Sequence, residues 1–289
     1  MPTPDDTKPS ASSDTIREGN SSAEQVVDGR IYRLGGFVPL DGRLSWSAKR
    51  PGRIQPISGY VVQNDDRAYM LDTGVAAHRA TVIQQFSGLL QKDQPVTAFL
   101  TRADYQCLGN LEALNDQHPL EELAFDIRSP FSAFDDVKRN LQNVRETLLT
   151  PGFGGYKPLA ASDDLVVFPA MIRILGTNWV YSKSQRTLFT SDWFCHTDLA
   201  ADAQSSILTD SAMDETTYES AIEHVQCKYY WLSQANTDPL RVWLKKIFED
   251  LDVQIIAPTV GCILSDQKLV EKHYELAMEM LLKLGRKNG

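Results

Sequence analysis

No apolar run in the chain approaches the roughly 18–20 residues that a membrane-spanning helix needs, so nothing in it reads as a membrane span. The four cysteines, Cys107, Cys195, Cys227 and Cys262, are scattered and form no C-x-x-C pair. Nothing resembling a signal peptide precedes them, and a reduced, cytoplasmic setting is the expectation. Basic charge is short: 29 Lys and Arg stand against 38 Asp and Glu, a net charge of −9. That balance argues against a general nucleic-acid binder, because a phosphate backbone calls for a basic surface. It leaves room for a small anion held in one basic pocket. Residues 1–25 hold almost nothing apolar. They cannot offset their ordering entropy by burial and read as a disordered tail. The remaining residues, 26–289, are numerous enough to bury a sizeable core as one domain.

What is present organises itself around residues 96–115, VTAFLTRADYQCLGNLEALN. Apolar and β-branched residues run into Thr101, polar residues then stand at alternate positions (Arg102, Asp104, Gln106), and Cys107-Leu-Gly-Asn leads into a helix-like LEAL. A buried strand that ends in a polar loop and turns into a helix is where α/β proteins usually place chemistry. An ordinary strand–loop–helix is the plainer reading of the same pattern.

Upstream, residues 58–63 and 67–71 read as strands joined at Asp65-Asp66, the second running into Asp72-Thr73-Gly74. A helix pattern over 77–92 puts Val82, Phe86, Leu89 and Leu90 on one face, with His78 at its start as a surface or capping residue. Downstream, residues 123–127 read as a strand. Phe134, Val137, Leu141, Val144 and Leu148 read as the stripe of a helix ended by Pro151-Gly152. The second half reads as strands at 163–169, 171–175, 178–182 and 187–194, then a helical stretch over 203–235 broken near Asp214. A helix over 238–251 follows, with Asp238 as cap and Pro239 in its first turn. The strand VQIIAP (253–258) runs into Thr259-Val260-Gly261-Cys262, and a helix over 266–285 ends the pattern. Trp231, Trp243 and Phe248 are expected in the core.

Four of these segments together resemble the metallo-β-lactamase fold in its flavodiiron and oxygen-binding diiron branch. They are Leu71-Asp-Thr-Gly74, Leu100-Thr101 with Leu108-Gly-Asn110, Leu188-Phe-Thr-Ser-Asp192, and Ala257-Pro-Thr-Val-Gly261. They stand in the family's order across roughly residues 30–264. The resemblance implies an αβ/βα four-layer sandwich: two mixed sheets face each other, helices lie outside, and both halves send loops to one shared edge. It also implies where a dimetal centre would sit. Arg102, Asp104, Gln106 and Cys107 stand where the family has His, His or Glu, Asp and His. Arg173, by its distance to Tyr181, stands at the histidine of His-x-Pro-Gly, and Val260 at the last histidine. Asp192 matches the metal-bridging aspartate, with Ser191 in place of the preceding glycine. His196 falls off the ligand pattern.

A dimetal site needs several imidazoles or carboxylates converging on two divalent ions. Guanidinium stays protonated and offers no lone pair, and valine offers nothing. Only Asp104 and Asp192 keep oxygen donors, while Cys107 could in principle supply a thiolate. Two fixed cations would also repel a dication. The expectation is therefore no metal, no cofactor (the ancestral di-iron or di-zinc lost) and no catalytic residue, with Arg102 and Arg173 neutralising the stranded aspartates through forked hydrogen bonds. On this reading the chain is a non-catalytic binding, regulatory or partner subunit. It would be a homodimer, or a heterodimer with a metal-bearing homologue, and would use aromatic surface around Tyr229, Tyr230 and Trp231. Two alternatives stay open. One is a small-anion-binding protein in which Arg102 and Arg173 grip a carboxylate or phosphate. The other is a residual hydrolase or oxidoreductase with an atypical site built on Cys107, Asp104 or Asp192.

Overall fold

The computed structural model describes residues 19–126, 140–149, 155–160, 162–172 and 176–285. Alternation of side chains on long strands dictates its layers. The first sheet runs in the order β1 (Glu24–Val27), β2 (Ile31–Pro39), β3 (Arg53–Gln63), β4 (Ala68–Leu71), β5 (Val96–Phe99), β6 (Glu122–Asp126), β7 (Arg145–Leu149). Its first four strands are antiparallel and β4 to β7 are parallel. The short β12 (Leu199–Ala200) adds to the start of β3. The second sheet is built from β8 (Lys157–Pro158), β9 (Leu165–Pro169), β10 (Asn178–Ser182), β11 (Thr187–Phe189), β13 (Ile207–Leu208), β14 (Ile255–Ala257) and β15 (Ile263–Leu264), in the order β13-β15-β14-β11-β10-β9-β8. It is mixed as well: β11 runs parallel to β14 and antiparallel to β10.

Alternate residues of both sheets meet in one core. Tyr60, Tyr69, Leu71 and Phe99 of the first sheet pack with Val167, Val180, Phe189 and Ala257 of the second. Tyr60 and Phe189 make an edge-on ring contact at 5.2 Å across it. The opposite face of the first sheet (Val61, Met70, Ala98, Leu123) is covered by α1 (Arg79–Leu89) and α3 (Leu111–Gln117) through Val82, Phe86, Leu111 and Leu114. That of the second (Trp179, Leu188, Ile256) is covered by α4 (Tyr218–Lys228), α5 (Asp238–Asp250) and α6 (Gln267–Leu284). The result is the expected αβ/βα sandwich, sheets inside and helices outside. Among the described residues no helix is long and apolar enough to cross a membrane.

Several expectations from the sequence change. The helical stripe drawn through Leu141, Val144 and Leu148 ends in a strand, β7, paired in parallel with β6; Phe134, Val137, Pro151 and Gly152 lie outside the described residues. Leu148, assigned to a buried face, is 51% exposed on this edge strand. Edge position decides this, because the backbone pairing with Glu122–Asp126 outweighs a coincidental three-and-four spacing. Met171 and Ile172 form a bend after Pro169, not a strand, and 173–175 lie outside the described residues. In 203–235 the helix proper is confined to α4, started by a reciprocal cap between Thr217 and Ser220. Thr237, not Asp238, holds the cap position of α5, with Pro239 in its first turn as expected. His78 is not at the surface. It is buried where Gly36 N–H donates to its Nδ1 at 3.2 Å and its Nε2 meets the Phe37 carbonyl at 3.2 Å. The first strand begins at Glu24, two residues inside the stretch read as tail.

The inter-sheet core should carry much of the stability. Phe189→Ala is expected to cost about 3–5 kcal/mol through lost transfer energy and the cavity left behind. Denaturant unfolding measures it, and a loss below about 1 kcal/mol would contradict this packing.

Candidate functional site: a buried ion-pair cluster at the shared loop edge

Strands β4 and β5 run parallel, as do β11 and β14, so the loops leaving their carboxyl ends gather at one edge of the sandwich. Polar side chains lock those loops together. The Asp72 carboxylate accepts from Thr101 N at 2.8 Å, Thr101 Oγ1 at 2.7 Å and Thr259 Oγ1 at 2.6 Å. Thr101 Oγ1 also lies 2.9 Å from Ser191 Oγ, and Thr259 N donates to the Ser191 carbonyl at 2.6 Å. One buried aspartate thus ties three loops. Burial pushes its pKa up to about 6 against the pull of these hydrogen bonds.

The Leu-Gly-Asn frame has an equally physical role. Asn110 Nδ2 donates to the carbonyls of Thr73 at 2.7 Å and Val75 at 3.0 Å. A Cβ on Gly109 would sit 2.7 Å from the Gly74 carbonyl oxygen, so only glycine permits this approach. Asp104 caps the short α2 (Tyr105–Leu108), its Oδ1 accepting from Gln106 N at 2.9 Å. Ser191 takes φ 53°, the left-handed region where the resembling pattern has glycine.

Inside this frame Arg102 is the organising group. It is buried, and its guanidinium donates to the Asp192 carboxylate through Nη1 and to Asp104 through Nη2. Nη2 also donates to Gln106 Oε1 at 2.9 Å. A second cation faces the same carboxylate: Lys228 Nζ lies 3.5 Å from Asp192 Oδ2, with the lysine side chain 6% exposed. The Tyr229 hydroxyl donates to the Asp192 carbonyl at 2.6 Å. Burial works against charge on Asp192, but Arg102 and then Lys228 outweigh it and hold the carboxyl below its ordinary range. Burial likewise opposes the charge on Arg102, and Asp192 above all keeps it firmly protonated.

The sequence-predicted positions therefore converge in part. Arg102, Asp104, Gln106 and Asp192 form one hydrogen-bonded cluster. Cys107 lies in the same loop, buried, with Thr101 Oγ1 at 3.7 Å from its sulfur. Burial and then the neighbouring Asp72 push its thiol far up, so the thiolate entertained from sequence is disfavoured. Val260 is buried and bridges Ile57. Arg173 lies outside the described residues.

Sequence reasoning missed Lys228 and Tyr229. Tyr229, assigned to a surface, is buried at the cluster, while Tyr230 is exposed. A signal was present: Lys228 stands three residues after Val225 and seven after Ala221, on the buried stripe of α4. A lysine on an apolar stripe asks for a buried partner.

A dimetal centre does not fit these residues. The guanidinium of Arg102 occupies the space between the Asp104 and Asp192 carboxylates. Among the described residues no group of three or more His, Cys, Asp or Glu side chains could hold a metal ion.

No protein-family model matches the chain, and no curated protein matches it by sequence. Solved structures do match. Rubredoxin:oxygen oxidoreductase from Desulfovibrio gigas superposes with TM-score 0.65 at 12% identity over 90% of this chain, which spans 62% of that one. A putative diflavin flavoprotein fragment from Nostoc matches at TM-score 0.63 and 15% identity, covering 91% and 96% of the two chains. The apo chemotaxis sensor ODP from T. denticola matches at 0.57 and 15%, over 86% and 90%. The chain has the metallo-β-lactamase-like fold of the flavodiiron structures.

Two predictions follow from this geometry. Arg102→Met removes the cation shared by Asp192 and Asp104, and should cost ~3–5 kcal/mol. Because Asp192 keeps Lys228 while Asp104 loses the Arg102 guanidinium, adding Asp104→Asn should restore part of the loss. Thermal unfolding of both variants measures it, and an unchanged single variant would contradict the ion-pair account.

Acid provides the second. Burial holds His78 down to about 4 and His224 to about 3, and depresses His196 well below the ordinary value of 6.5. The unfolded chain binds these protons first, so their contribution to stability is present above pH ~6.5 and is lost as pH falls. Asp72, raised to about 6, acts in the opposite sense between pH ~4 and ~6. The three histidines outnumber the one aspartate in that window, so the net expectation is that stability falls as pH drops from ~6 to ~4. Denaturant midpoints across pH 4–7 measure it, and stability flat over that range would contradict these burials.

Proposed function

We propose that this chain is a non-catalytic member of the flavodiiron-like metallo-β-lactamase fold, acting as a binding, regulatory or partner subunit. The single observation that carries this reading is the placement of Arg102: its guanidinium lies between Asp104 and Asp192, where divalent ions would need those carboxylates. Lys228 adds a second fixed positive charge at Asp192. Two internal cations thus do the electrostatic work that metals would do.

Both alternatives lose their leading residue. Anion binding at this pocket needs Arg102 free, and its Nη groups are committed to Asp192, Asp104 and Gln106. A thiol nucleophile at Cys107 needs a base and a lowered pKa, and its burial works the other way.

A partner role is the remaining use of an intact fold with a self-neutralised pocket. The subunit pairs with a second copy, or with a metal-bearing homologue whose chemistry it supports or regulates. Native mass spectrometry of the chain, alone and co-expressed with a metal-bearing homologue from the same source, tests this. A homodimer or a mixed dimer is the expected result. A monomer in both preparations would sink the subunit reading.

A further inference from the structure

His196 takes no part in the Arg102 cluster, yet it is buried in a hydrogen-bonded chain of its own. Its Nε2 lies 2.8 Å from Nδ1 of His273, with the two rings stacked at 5.0 Å. Nε2 of His273 lies 3.0 Å from Asp214 Oδ2, and Lys272 Nζ and Thr216 N hold that carboxylate at 2.5 and 3.1 Å. Asp214 as a carboxylate can only accept, so the proton on that contact belongs to His273 Nε2. When that is the only proton on the His273 ring, its Nδ1 accepts from His196 Nε2–H, and His196 is left with a bare Nδ1. That nitrogen has no hydrogen-bond partner among the described residues, and His196 lines a cleft of about 240 Å³ with Arg50, Arg53, Asp198 and Glu215.

Both arginines are anchored at the cleft: Arg50 Nη2 donates to the Ser220 carbonyl at 2.9 Å and Arg53 Nη2 to the Asp198 carbonyl at 3.1 Å. They share the buried carboxylate of Asp198 at 2.7 and 2.6 Å. Each also reaches a rim glutamate, Arg50 to Glu223 at 3.1 Å and Arg53 to Glu215 at 2.5 Å, and those glutamate side chains are 58% and 70% exposed. Exposed pairs of this kind contribute little and yield to a competing anion.

We propose that this cleft binds a small tetrahedral oxyanion of the sulfate or phosphate class, gripped by Arg50 and Arg53 in place of the Glu223 and Glu215 tips and by His196 Nδ1. The site stands apart from the Arg102 pocket and does not rest on the subunit reading. Sulfate has no proton to donate and cannot bond to a bare nitrogen, so its arrival inverts the chain. One proton enters, His273 Nδ1–H now donates to His196 Nε2, and His196 carries an N–H at Nδ1 that donates to the ion. The His273 Nε2–H stays on Asp214 throughout.

Charged and titratable groups surround His196 on every side. His273 and Lys272 come from α6, Asp214 and Glu215 from the segment before α4, His224 from α4, Asp198 from the same loop, and Arg50 and Arg53 from the β2–β3 connection and β3. Burial, then His273 and His224, keeps the free imidazole neutral. The proton therefore arrives with the ion.

Calorimetric titration of the full chain with sodium sulfate tests this, at constant ionic strength in chloride, near pH 7.5, and in buffers of different ionisation enthalpy. Saturable binding with about one proton taken up per sulfate is expected. The double variant Glu215→Gln, Glu223→Gln, altered only at exposed side chains, should bind about two- to tenfold more tightly. His196→Gln, whose amide donates without titrating, should bind with no proton uptake. Phosphate and glycerol phosphate, titrated in parallel, distinguish a free ion from an esterified one, and binding of either supports the site. Absence of saturable sulfate binding, no tightening in the glutamine variant, or an unchanged proton count in His196→Gln would each overturn the proposal.

Discussion

Everything at the loop edge depends on one buried contact, the guanidinium of Arg102 between the carboxylates of Asp192 and Asp104. A carboxylate removed from water must be compensated nearby or it destabilises the fold by several kcal/mol. A divalent ion is one compensation and an arginine fork is another, but the two demand different neighbours. The arginine needs acceptors in the plane of its fork, and Asp192, Asp104 and Gln106 supply them. A metal needs lone pairs on several sides, and the thiol at Cys107, held protonated by its burial, does not add one. Lys228 strengthens the first solution by adding charge from a different helix.

The frame around this contact holds by hydrogen bonds that involve no ligand. Asp72 ties the loops after β4, β5 and β14, Thr101 and Thr259 add the loop after β11, and Asn110 ties the α3 entrance to the Asp72 loop. This explains how the four frame motifs keep their spacing while the positions between them carry other chemistry. The frame fixes the loop geometry around the Arg102 cluster.

Legibility in the sequence followed the same division. Motifs that fix backbone geometry, such as Leu-Asp-Thr-Gly and Leu-Gly-Asn, could be read because only a few residues satisfy a close approach like that of Gly109 to the Gly74 carbonyl. The pairing of Arg102 with Asp192 was legible for a related reason, since stranded carboxylates call for a cation. Lys228 was not read, because its meaning comes from a helix far away in sequence whose register the motifs do not fix. β7 was misread because its pairing with β6 is non-local, while the spacing of Leu141, Val144 and Leu148 imitates a helix locally. The His196–His273–Asp214 chain joins a loop, α6 and the segment before α4, and no motif links those three places. It marks a second polar centre, chemically separate from the first.

The claim that internal cations have taken the place of metals is tested most directly by metal analysis. The purified protein should be incubated with ferrous iron or zinc, exchanged into metal-free buffer and analysed for its elements. The account predicts far less than one equivalent of either metal retained, for the wild type and for Asp192→Asn alike. One to two equivalents retained by the wild type, and lost in Asp192→Asn, would contradict it.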